Sequence, residues 1–122
     1  MDYYSEAGNN LIEKWYSELN EGAQSDFDTT LNNLTGINDW HGLKEFKMLH
    51  GKHSGLGEIR FKSGNVQYRA VGFFGPGRGD FTLLVGCEKR QRVFRPADAF
   101  DLALRRKRLC GQGRGTLHEH SF

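Results

Sequence analysis

Cysteine is scarce in this 122-residue chain: Cys87 and Cys110 are its only two, and they lack C-x-x-C spacing. That excludes a disulfide framework and a zinc-finger pattern. No apolar run approaches the roughly 18–20 residues of a membrane span. The opening Met1-Asp2-Tyr3-Tyr4 has neither the basic start nor the apolar stretch of a secretory signal. A cytoplasmic protein without a membrane partner is therefore expected. Basic residues are nearly missing from the front of the chain, where Lys14 stands alone against eight acids over residues 1–40. Residues 41–122 hold sixteen Lys and Arg against seven Asp and Glu, so the total of +2 conceals a division. Such a division points to an anionic partner on the basic side, or to acidic helices docked beside basic strands. The length suits one domain and not two. Leu, Ile, Val and Phe supply 29 residues, above the roughly 20% below which a chain is presumed disordered.

What is present reads as an α+β domain over residues 1–110 with a flexible tail over 111–122. Leu11, Ile12, Trp15, Tyr16 and Leu19 form one stripe of a helix from about Asn10 to Asn20. Asn20-Glu21-Gly22 ends it, and Ser25 caps a second helix whose buried stripe is Phe27, Leu31 and Leu34. Gly36 suits a left-handed C-terminal cap. From Ile37 to Gly55 the pattern weakens, with Trp40, Leu43, Phe46 and Leu49 allowing a short helical turn before a loop. The period then changes to two. Leu56–Lys62 and Val66–Phe74 read as strands around a Ser63-Gly64-Asn65 turn, and Phe81–Cys87 as a third. Pro96 fits the first turn of a last helix running to about Leu109. Its Arg105–Arg108 run reads as a solvated helix end.

A two-residue turn after Lys62 makes paired residue numbers sum to 127 or 129. Either register places Glu58, Arg60 and Lys62 on one face with Gln67 and Arg69. Ile59, Phe61, Tyr68, Ala70 and Phe74 take the other face, which should pack under the helices. The first set is expected on an open, wet face, with Arg69 opposite Glu58 in one register and opposite Arg60 in the other. Lys89-Arg90-Gln91-Arg92 and Arg95 leave the end of the third strand and add four cations. Clustered cations repel unless an anion neutralises them, and a phosphodiester backbone is a suitable one. A cross-strand ion pair on a merely solvated face is the plainer reading of Glu58 and Arg69.

Leu56-Gly57-Glu58-Ile59-Arg60-Phe61, then Tyr68-Arg69, Phe81-Thr82-Leu83-Leu84, Glu88-Lys89-Arg90 and Pro96-Ala97-Asp98-Ala99 resemble the RelE/HigB superfamily of bacterial toxins, nearest its phage-derived branch. The likeness covers about residues 40–109. It implies two N-terminal helices packed on a small antiparallel sheet with a C-terminal helix. It also implies an mRNA endoribonuclease acting at the ribosome, the toxin of a toxin–antitoxin pair, neutralised by a small helix-turn-helix antitoxin. The implied reaction is attack of a ribose 2′-hydroxyl on the adjacent phosphate. Glu58 is then the candidate base, Arg60 and Arg69 hold the phosphate, and Lys89 and Arg90 stabilise the transition state, Lys89 being a candidate acid. Lys62, Arg92, Phe94 and Arg95 are the candidate RNA contacts. Phe94 stands where many relatives carry Tyr or His, and can stack but not transfer a proton. Two other readings stay open: a ParE-like gyrase inhibitor of the same fold, and a phage-derived nucleic-acid-binding remnant. No metal or cofactor is expected, since His50-x-x-His53 lies in a loop without nearby cysteine. His53 is a reserve candidate for the acid.

Overall fold

Two hairpins organise the molecule. Gly64 at φ +59° turns β4 (Gly57–Ser63) back onto β5 (Val66–Phe74), with Ser63 opposite Val66. Every pair along them sums to 129, so of the two expected registers this one holds, and Arg60 lies opposite Arg69. β6 (Phe81–Arg90) pairs antiparallel with β5 and runs three residues further than expected. A second tight turn at Gln91 and Arg92, both at positive φ, then adds β7 (Val93–Arg95). The structure is a computed structural model that describes the backbone of residues 2–6, 9–10 and 116–119, and backbone and side chains of 11–75 and 80–111.

Around this centre lie β1 (Asp2–Glu6), β2 (Asn9–Asn10), α1 (Leu11–Glu18), α2 (Glu21–Thr35), β3 (Phe46–Met48), a 3-10 turn at Gly51–His53, α3 (Ala99–Gly111) and β8 (Thr116–Glu119). The sheet order is β2-β1-β6-β5-β4-β3, with β7 on β6 and β8 on β1. β1 runs parallel to β6, and the neighbours from β3 to β7 are antiparallel. The α+β class stands, with two helices before the central strands and one after. No helix among the described residues is long and apolar enough to cross a membrane.

Four local expectations change. The second helix begins at Glu21 and not at Ser25, because the Asn20 side chain accepts the Ala23 N–H at 2.8 Å. Asparagine is a strong N-cap, so one residue closes the α1 segment and opens α2. Gly36 caps α2 at φ −85°, outside the left-handed region. Phe46–Met48 pairs with β4 as an edge strand in place of a helical turn. Pro96 precedes α3, which starts at Ala99 after the Ala99 N–H has bonded the Pro96 carbonyl at 3.1 Å. Within the expected flexible tail, Gly111 closes α3 and Thr116–Glu119 forms β8 on β1, while 112–115 and 120–122 lie outside the described residues.

The two sheet faces are covered differently. Ile59, Phe61, Tyr68 and Ala70 pack with Ile12, Phe27, Leu31 and Leu34 of α1 and α2, as the alternation requires. Trp15 packs on Gly86, where any Cβ would collide with the indole. On the opposite face Val71, Phe73, Leu84, Val85 and Cys87 pack with Ala99 and Ala103 of α3. A bulge between Val71 and Gly72 in the pairing with β6 lets both Leu84 and Val85 turn toward α3. Arg106 reaches down from α3 and donates to the Leu84 carbonyl at 2.6 Å. Its role is internal, unlike the solvated helix end expected of the 105–108 run.

Candidate functional site

Strand register places the charged residues in rungs. One rung reads Lys62, Gln67, Lys89 and Phe94 across β4, β5, β6 and β7. The next reads Arg60, Arg69 and Cys87, and the one after it Lys47, Glu58, Val71 and Val85. All lie on the α3 side of the sheet. The Arg60 N–H points away from β5, donating to the Glu45 carbonyl at 2.7 Å. Arg60 and Arg69 therefore form a non-hydrogen-bonded cross-strand pair, the closer kind, with Cα atoms about 4.5 Å apart. Like charges so placed are destabilising on their own.

Glu58 resolves the conflict. Its Oε1 accepts from Arg60 Nε at 2.9 Å, lies 2.8 Å from Arg60 Nη2, and stands 3.6 Å from Arg69 Nε. Arg69 also donates to the Tyr68 carbonyl and to the Gln67 side-chain oxygen, each at 3.0 Å. Glu58 and Arg69 are buried, at 4% and 7% exposure, whereas the Arg60 side chain is 35% exposed. The open face expected for this set is thus only partly open: α3 packs over β5 and β6 beside it, and the two arginines flank the Glu58 carboxylate. Burial pushes the Arg69 guanidinium below its ordinary pKa, Glu58 opposing the shift and Arg60 adding to it. Burial, with Glu58 nearby, raises the Cys87 thiol to about 12, so Cys87 is an inert packing residue.

Arg60 opens into a cleft of about 420 Å³ at the edge of β4 that β3 leaves uncovered. Lys62, Gln67 and Arg69 line it from the strands, Lys44 and Glu45 from the loop before β3, and Asp26, Thr29 and Thr30 from α2. Lys44 and the α2 hydroxyls were not foreseen, since they lie in the segment of weak periodicity and on a helix read only for its buried stripe. Gln67 was placed on the right face but not in the site.

Of the nine residues expected in the site, six share this face: Glu58, Arg60, Lys62, Arg69, Lys89 and Phe94. Lys89 holds its ammonium 5.4 Å from the Phe94 ring centre, and Phe94 packs edge-on against Phe100 of α3. Arg90 and Arg95 do not join them. Strand alternation turns both toward the α1 side, where they line a cleft with Trp15 and Glu18, and Arg90 pairs with Glu88 at 3.1 Å. Arg92 sits in the β6–β7 turn. His53 is bound to Asp101 of α3 at 2.8 Å, and this contact pulls the Asp101 carboxyl below its usual range. No cluster of three or more His, Cys, Asp and Glu fit for a metal occurs among the described residues.

Chemically, the arrangement is two guanidiniums flanking one buried carboxylate, with two ammonium groups on the neighbouring rung. It is suited to a tetrahedral oxyanion with several exposed oxygens. No protein-family model, no curated protein and no solved structure matches the chain.

Proposed function

We propose that the chain is an RNA-cleaving toxin of the RelE/HigB kind, working in the cytoplasm on messenger RNA at the ribosome and restrained by a small helix-turn-helix antitoxin. The observation that carries this reading is the Arg60–Arg69 pair locked over Glu58 at the mouth of a nucleotide-sized cleft. A scissile phosphate bound there faces Arg60 directly, with Lys62 and Lys89 on the adjoining rung for neighbouring charge. Attack of the 2′-oxygen forms the 2′-O–P bond and breaks the P–O5′ bond. The products are a 2′,3′-cyclic phosphate and a 5′-hydroxyl, the 2′-proton leaving and a proton arriving at O5′. Guanidiniums fixed before the reaction stabilise the extra charge of the phosphorane without reorganisation.

In this geometry Glu58 acts as a positioning residue for Arg60 and Arg69. The role of base expected from the sequence needs a carboxylate that touches substrate, and its side chain is 5% exposed with Oε1 occupied. Lys89 remains the proton donor of choice on this face, since Phe94 has no proton to give. His53 is held by Asp101 of α3.

Expression of wild type and Arg60→Ala in a bacterium, with mapping of mRNA 5′ ends, tests the reading. Wild type should create new 5′-hydroxyl ends, and Arg60→Ala about 100-fold fewer. Glu58→Gln should lower the rate while leaving the shape of the pH–rate profile intact, whereas loss of a base would remove its acidic limb. Intact transcripts with damaged DNA would replace the reading by gyrase inhibition, and RNA binding without new ends by a remnant that no longer reacts.

A further inference from the structure

At the end of the sheet the β4–β5 and β6–β7 turns lie side by side. The groove between them, about 450 Å³, is lined by Asn65, Val66, Arg90, Gln91, Val93 and Arg95. None of the six carries a carboxylate. Two guanidinium forks and two carboxamides offer donors, and Val93, 55% exposed, offers an apolar surface. Both walls are fixed by tight turns: Gly64 at φ +59°, and Gln91 and Arg92 at φ 48° and 72°. Glu88 pairs with Arg90 in the open and faces Arg95 across the strands, and Glu18 lines the adjoining cleft with both arginines. Exposed pairs of that kind contribute little and yield readily to a bidentate anion.

The groove adjoins the candidate site. The Ser63–Val66 and Arg90–Val93 pairs are the rungs directly beyond Lys62, Gln67 and Lys89. A backbone laid across that cationic rung and continued past the end of the strands enters the groove. We propose that the groove holds the ribose–phosphate backbone of RNA flanking the reacting phosphate, as a binding site that takes no part in the chemistry. This rests on the reading of the Arg60–Arg69 face as an RNA site. It gives Arg90 and Arg95 a task that their position away from that face denies them in the reaction itself.

Two fully 2′-O-methylated, uncleavable RNAs test it by fluorescence anisotropy over a salt series: one of about 4 nucleotides and one of about 16. Arg90→Ala/Arg95→Ala should weaken the long RNA about tenfold more than the short one. It should also reduce the slope of log affinity against log salt for the long RNA by about 1.4, or 0.7 per lost phosphate contact. Arg60→Ala should weaken both RNAs. Equal losses for the two RNAs with the double variant, or none, overturn the groove while leaving the Arg60 site standing. If Arg60→Ala binds and cleaves as wild type does, the functional reading itself fails. Displacement of the long RNA by poly-glutamate as readily as by RNA of equal charge would also overturn the groove as a nucleic-acid site. Both arginines are exposed, and an unchanged circular dichroism spectrum verifies the fold of the variant.

Discussion

The two faces of β4, β5 and β6 are made from the same strands and do different work. Toward α1 and α2 the strands present Ile59, Phe61, Tyr68 and Ala70, and the helices answer with aromatic rings: Phe27 meets Trp15, Tyr16 and Phe61 at centroid distances of 5.3, 5.8 and 5.3 Å. Toward α3 the strands carry an aliphatic half and a charged half, and Glu58 and Arg69 are buried where the halves meet. Apolar burial stabilises with little dependence on direction, whereas a buried charge is tolerable only with its partner at the right distance. The first face is therefore held by apolar packing throughout, whereas the second sets an aliphatic core beside an ionic arrangement that would be costly on its own.

This contrast sets the expected order of effects. Phe27→Ala, which empties the centre of the aromatic face, should lower unfolding free energy by about 3–5 kcal/mol in urea titrations. Glu58→Gln leaves two guanidiniums facing each other and should cost about 3 kcal/mol, whereas Glu58→Leu/Arg69→Met should recover most of that loss. If the double variant is no better than the single one, the charged face contributes to stability and the contrast is wrong. Arg106→Ala unsatisfies the Leu84 carbonyl and should cost about 1–2 kcal/mol, raising hydrogen exchange around the bulge. The smallest effect belongs to Asp101. Its carboxyl titrates lower in the folded chain than in the unfolded one, so its contribution is present above about pH 4 and is lost as pH falls through the folded value. Asp101→Asn should flatten that part of the acid-unfolding curve, and an unaltered curve would remove His53–Asp101 as a contact that matters.

Much of this was legible from the chain alone, for reasons that also explain what was not. Alternation over Val66–Phe74 fixed the β5 bounds to the residue, and the even–odd parity of a two-residue turn put Glu58, Arg60, Lys62, Gln67 and Arg69 on one face. Extending that face to Arg90 failed because Lys89 and Arg90, adjacent on a strand, must point to opposite sides. β7 was missed because Gln91-Arg92 lacks the Gly or Asn that ordinarily marks a tight hairpin turn, and β3 because three residues show too little of any period. β1 joins β6 in parallel from far away in sequence, which no local pattern encodes. The burial of Glu58 depends on neighbours supplied by the strands on either side of it, a tertiary fact.

One irregularity decides the chemistry on offer. Were the bulge ironed out, so that every residue of β6 paired in step from Gly72–Leu83 onward, Glu88 would stand opposite Gln67 where Lys89 now stands. A slip of one position there would swap an ammonium for a carboxylate beside Arg69 without substituting any amino acid. The sign of the local field is therefore set by how the strands are aligned as much as by the letters of the chain.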